Sequence, residues 1–239
     1  MNGIFRISPT GPLPLITIIL LIGLFILIIP LLILGLAGAA FSRLGFSWIE
    51  ATAVILLMLL GSFVNIPIWT FRGSRQITDT GTPVVFDAFT GEPVPDDRLS
   101  TGLFLNLGGA VIPSAVTLFL LYQFHHLAGE SLLLQVCAAI IIVATITGVS
   151  TRVIPAYGIR APILIPAVSA IVSGILLTGN IGLSAAVVAF AGGTMGILVG
   201  ATLSAINAIR KTGIPSVSIG GTGMFWAVFF CGLLAALIA

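Results

Sequence analysis

The sequence predicts an all-α fold, a polytopic bundle of about seven transmembrane helices with a short hydrophilic loop between the second and third. Three observations lead there. Only 7% of the 239 residues are charged and 58% are hydrophobic, whereas a soluble domain averages about 25% charged residues. Residues 7–42 and 161–209 carry no charge at all, so no water-facing helix can be drawn through either stretch. Runs such as Ile16-Thr17-Ile18-Ile19-Leu20-Leu21-Ile22 do not alternate, as the strands of a lipid-embedded barrel would. In lipid the backbone must satisfy itself, which leaves helices.

Turn-forming and charged residues divide the chain into spans of about the 20 residues a bilayer requires. The first covers 13–41 and contains Pro30. It follows Arg6 and Ser8-Pro9-Thr10-Gly11-Pro12, and its apolar run exceeds a signal-peptide core, so a retained span is expected. The second covers 48–71, the third 102–123 and the fourth 131–150. The fifth, 162–177, is short and carries Pro162 and Pro166. A Thr178-Gly179-Asn180 turn precedes the sixth, 183–206. The seventh is 217–239.

Seven crossings place Arg6, Arg72, Arg75, Arg98, Arg152, Arg160, Arg210 and Lys211 on one side and Arg43 alone on the other. Such asymmetry marks the cytoplasmic side. The expected setting is the plasma membrane, with a cytoplasmic N-terminus and an extracytoplasmic C-terminus. The loop 72–101 holds five of the seven acids. Within it, Thr82–Asp87 followed by Thr90-Gly91-Glu92-Pro93 reads as a strand–turn–strand hairpin. It is either a solvated connector or a docking site for a partner. A net charge of +2 offers nothing for nucleic acid. Cys137 and Cys231 lie in apolar runs and read as small apolar fillers.

Ionisable groups within the spans are few. Glu50 sits near a span end, where an interfacial role is expected. The adjacent His125 and His126, with Glu130, border the outer face, and side chains about 100° apart on a helix are poorly placed to share a metal. No cofactor or metal is expected. Uncharged polar positions are more suggestive. Asn65 precedes Pro67, and Asn106 precedes Gly108, Gly109 and Pro113. Gly220 and Gly221 open the last span. Proline frees a backbone carbonyl and paired glycines permit close backbone approach. These six residues, Asn65, Asn106, Gly108, Gly109, Gly220 and Gly221, form either a polar pocket among broken helices or kinked helices packed through small residues. Gly192, Gly196 and Gly200 recur every fourth residue in the sixth span, a helix-packing stripe.

Three runs, Gly61-Ser62-Phe63-Val64-Asn65-Ile66-Pro67, Asn106-Leu107-Gly108-Gly109-Ala110-Val111-Ile112-Pro113 and Ser218-Ile219-Gly220-Gly221-Thr222-Gly223-Met224-Phe225, together resemble domain-of-unknown-function family 1614 of bacterial and archaeal membrane proteins. The resemblance covers residue 50 to the end in matching order. It implies an Asp where Thr202 stands and a second where Trp226 stands. Two such acids would suit aspartyl proteolysis, in which one carboxylate activates water and its partner donates a proton. This chain has neither, and carries no Asp or Glu after Glu130.

The composition therefore points to a non-catalytic membrane subunit or scaffold, whose partners are the bilayer and other membrane chains or further copies of itself. A transporter or channel for a small solute, built on the broken helices around Asn65, Asn106 and Gly220, is the alternative. An intramembrane hydrolase is least favoured, because the later spans offer no His or Lys to activate a Ser or Thr.

Overall fold

A computed structural model of the chain describes residues 12–72, 100–154, 158–212 and 216–238. The elements run α1 (Pro12–Arg43), α2 (Trp48–Gly61), β1 (Asn65–Arg72), β2 (Ser100–Asn106), a π-helical turn (Leu107–Val111), α3 (Ile112–Ser150), β3 (Arg152–Ile154), β4 (Gly158–Arg160), α4 (Leu164–Thr178), α5 (Leu183–Thr212), β5 (Ser216–Ile219) and α6 (Thr222–Leu237). Helices dominate, as expected. Among the described residues, four stretches are long and apolar enough to cross a bilayer: Leu15–Arg43, Leu107–Phe124, Ser131–Ser150 and Leu183–Ile206. Three shorter apolar helices, α2, α4 and α6, accompany them.

The helical run α3 reverses direction. Thr117 lies 3.0 Å from Thr194, while a Cβ on Gly192 would strike Ala139. In a straight helix, residues 117 and 139 would stand about 33 Å apart, yet both meet α5 within one turn of it. The backbone therefore folds back between Thr117 and Ala139. The stretches expected as the third and fourth spans lie antiparallel, joined through continuous helical backbone rather than a loop.

This reversal makes seven helical segments that run alternately up and down. At one end Arg43 Nη1 donates to the Leu237 carbonyl at 3.1 Å, and Gln135 Nε2 donates to that of Leu177 at 3.0 Å. At the other end lie the C-terminus of α2, the starts of α3 and α6, and a three-stranded sheet of order β1-β2-β5. The β1–β2 pair is antiparallel and the β2–β5 pair is parallel.

The sheet corrects three span boundaries. Helix was expected over 48–71, but α2 stops at Gly61 and Asn65–Arg72 is a strand. Helix was expected from 102 and from 217, where β2 and β5 stand instead. Pro67 cannot donate to a helix or a ladder, and it sits at a register shift of the edge strand β1. Ile66, Ile68, Trp69, Thr70 and Phe71 around it are strand formers. The fifth span begins as helix at Leu164 rather than 162. The hairpin expected near Thr82–Pro93 lies outside the described residues.

Helix α5 is the axis of the bundle. Its Gly192, Gly196 and Gly200 face α3, where added Cβ atoms would meet Ala139, Val143 and Ala144. On another side Gly193 packs against Cys231 of α6 and Ala170 of α4. Phe190, 1% exposed, stands edge-on to Phe41 at 5.7 Å and against Gly232. Helix α1 joins this core only near its end, through Ala37, Ala40, Phe41 and Leu44, while Leu15–Ile29 is exposed throughout. Cys231 is wholly buried and Cys137 lies on the helix surface.

Glu50 has a local structural role. Ser47 Oγ accepts from Glu50 N at 3.3 Å, and Glu50 Oε2 accepts from Ser47 N at 2.8 Å, a reciprocal cap on α2. Ser47→Ala should destabilise the folded protein by about 1 kcal/mol, read as a lower unfolding midpoint in detergent.

Candidate functional site: a polar junction beneath the bundle

Strand register brings the three glycine- and asparagine-containing runs into one place. Asn65 stands opposite Asn106 across β1–β2, and Phe104 and Leu105 stand beside Ser218 and Ile219 across β2–β5. Asn106 is 1% exposed, so each of its polar atoms needs a partner. Its Nδ2 donates to the Ser62 carbonyl at 2.7 Å and to Asn65 Oδ1 at 3.1 Å, and its Oδ1 accepts from Gly109 N at 2.8 Å. Both amide hydrogens are thereby used. Asn65 Oδ1 also accepts from Ser218 Oγ at 2.6 Å. One amide thus ties the end of α2 to the π turn, and a second ties β1 to β5.

The π turn has a local cause. Ile112 N–H reaches back to the Leu107 carbonyl, and the following Pro113 has no N–H to offer. Asn106 caps the turn through Gly109 N, supplying an acceptor that no earlier helical residue provides.

The glycines let backbones touch. A Cβ on Gly109 would strike the Gly220 carbonyl, and one on Gly108 would strike Met58 O and Ser62 N. Gly220 has φ +74° in the turn closed by Gly221 N to Ser218 O at 3.1 Å, a conformation that disfavours any side chain. Gly221 packs on Ser218, and Gly223 abuts the Ile159 carbonyl of β4 while its own carbonyl accepts from Ala161 N at 3.0 Å.

All six nominated residues therefore meet, and they meet as packed backbone and paired amides. Concavities among the described residues stand elsewhere. One of about 660 Å³ lies between α3 and α4, along Ile142, Ile146, Leu164, Val168 and Val172. Another of about 430 Å³ lies on the outer sheet face, along Pro67, Ile68, Trp69, Gly102 and Phe104. None of the six lines either.

Some contributors escaped the sequence reading. Ser218 is the clearest, and its signal was the alternation Ser216-Val217-Ser218-Ile219 of a strand. Ser218→Ala removes one hydrogen bond and should lower stability by about 1 kcal/mol, measured by the same detergent unfolding. A second polar contact lies higher in the bundle. The Thr117 and Thr194 hydroxyls are both buried and 3.0 Å apart; with one hydrogen each, one donates across to the other while the second donates to its own helix, at Pro113 O (2.9 Å) or Phe190 O (2.7 Å). The pair clasps α3 to α5.

Thr202 and Trp226 are not equivalent positions. Thr202 Oγ1 is shielded and makes no hydrogen bond, whereas Trp226 is 47% exposed and its ring stacks on Phe230 at 5.9 Å. The α3 backbone carries His125, His126 and Glu130 through its reversal, and their side chains lie outside the described residues. Among the described residues, no group of three or more His, Cys, Asp or Glu is gathered as a metal would require.

Residues 59–238 match a family described as proteins of unknown function, DUF1614. The chain belongs to this family. All three converging runs fall inside the matched region, so the junction is built wholly from family sequence, while α1 and most of α2 precede it. No curated protein and no solved structure matches the chain. The resemblance read from the runs thus holds.

Proposed function

We propose that this DUF1614 protein is a non-catalytic, multi-pass subunit or scaffold of a membrane complex, crossing the plasma membrane seven times. The observation that carries this reading is that the buried amide at the junction is consumed by the chain's own fold. Asn106 spends both amide hydrogens on neighbouring backbone and side chain, and Gly109 and Gly220 leave no space between them. A site of that kind holds helices in register and offers a solute little to bind. The exposed length of α1, apolar from Leu15 onward, supplies surface for lipid or for another membrane chain.

Alternating helix directions support the seven crossings. The sheet end carries Arg72, Arg152, Arg160, Arg210 and Lys211 on its elements, against Arg43 at the opposite end, which favours a cytoplasmic sheet. Arg72 and Ser100, which bound the hydrophilic loop, are paired strand positions, and the loop is a fitting place for a partner to bind.

Purification from native membranes tests the role. A scaffold should co-migrate with fixed partners through successive columns. An isolated chain that moves a solute into liposomes would favour the transporter reading instead, with broken helices around Asn65, Asn106 and Gly220 as its path.

A further inference from the structure

We infer that the β1-β2-β5 sheet lies within the headgroup–acyl boundary of the leaflet on the cationic side, its outer face against lipid rather than water or protein. The inference rests on the membrane reading of the helices and adds where the non-helical part sits. Helix lengths come first. The 14 residues of α2 reach about 21 Å and the 16 of α6 about 24 Å, against a hydrocarbon core of about 30 Å. Each is too short alone, and each abuts a strand of this one sheet: α2 runs into β1, and β5 runs into α6. The sheet continues both helices outward to the level of the headgroup–acyl boundary.

Surface continuity comes second. The exposed apolar residues Leu57 and Leu60 of α2 are followed by Phe63 (85% exposed), Val64, Ile66, Ile68 and Trp69 (64% exposed), with Asn65 the exposed polar residue among them. A Trp at this level is where its amphipathic ring is most at home. A shallow concavity of about 430 Å³ along Pro67, Ile68, Trp69, Gly102 and Phe104 lies on this same surface.

Two constraints fix the depth and the occupant. An open strand edge cannot stand in the hydrocarbon core, where its N–H and C=O groups would find no partner. Placement at the boundary lets water and headgroups satisfy them. The edge is also unsuited to a protein strand: Pro67 offers no N–H, and the register shifts between Pro67 and Trp69. Apolar side chains on a blunted edge favour lipid.

The test uses the full chain with Trp48→Phe and Trp226→Phe, leaving Trp69 as the sole indole, reconstituted into phosphatidylcholine vesicles. The lipids carry bromine near either the glycerol end or the methyl end of the acyl chains. Trp69 emission should be blue-shifted, quenched more by the shallow bromines than by the deep ones, and little affected by aqueous acrylamide. Emission quenched by acrylamide and by neither lipid places the sheet in water and overturns the inference, leaving the helix crossings untouched. Protection from all three quenchers assigns the face to protein contact and also overturns it. Should the double Trp variant not fold, Phe63→Cys in a Cys137→Ala background, labelled with an environment-sensitive dye, gives the same readout from an exposed residue. Failure of either chain to enter vesicles at all would instead sink the membrane reading.

Discussion

Gly109→Ala should leave little or no folded protein. The new Cβ would occupy the position of the Gly220 carbonyl, and both contacting partners are backbone, so no rotamer change relieves the clash. Gly109 is held in place by Asn106 Oδ1 through its own N–H, and Gly220 by a turn with φ +74°. Neither side can retreat without breaking a buried hydrogen bond, and tightly packed interiors transmit such shifts rather than absorb them. Expression in membranes followed by size exclusion in mild detergent checks this, with aggregated or degraded protein expected. Gly23→Ala serves as the control, because nothing lies within 4 Å of a Cβ there, and it should behave as the parent.

Asn106→Leu should have the second largest effect. It strips a partner from Gly109 N and from the Ser62 carbonyl, and removes one of the two donors to Asn65 Oδ1. A buried backbone group left unpaired costs about 1–3 kcal/mol, so a total of about 2–6 kcal/mol is expected where two are orphaned. A markedly lower unfolding midpoint in detergent is the measurement. Asn106→Asp separates the contributions: it keeps an acceptor for Gly109 N but gives up the donor to Ser62 and adds a buried charge. It should rescue nothing. If Asn106→Leu instead unfolds like the parent and only solute flux is lost, the junction is a binding site rather than a clamp.

The sequence reading reached the helices and missed the sheet, for a physical reason. Gly192, Gly196 and Gly200 announce the α3–α5 contact because four-residue spacing stacks them on one helix face. Asn106 and the glycine pairs also stood out, as polar or small residues in otherwise apolar runs. Their assembly did not, because Asn65 meets Asn106 and Phe104 meets Ser218 through pairings between distant parts of the chain. Ile66–Phe71 and Leu103–Leu105 are apolar enough to continue a span, and only Pro67 argued otherwise. In lipid-embedded chains hydrophobicity loses its power to separate a buried strand from a helix end. The α3 reversal was legible as a break between spans at 124–130, although its backbone stays helical throughout.

The proposed membrane arrangement, in which the alternating segments place the sheet end in the cytoplasm, can be tested by side-specific labelling. In a chain with Cys137→Ala and Cys231→Ala, single cysteines are introduced at Asn180, in the exposed turn between α4 and α5, and at Arg152, exposed at the sheet end. A membrane-impermeant maleimide on intact cells should modify Asn180→Cys at once and Arg152→Cys only after permeabilisation. Labelling of both from outside, or of Arg152→Cys alone, would contradict the arrangement.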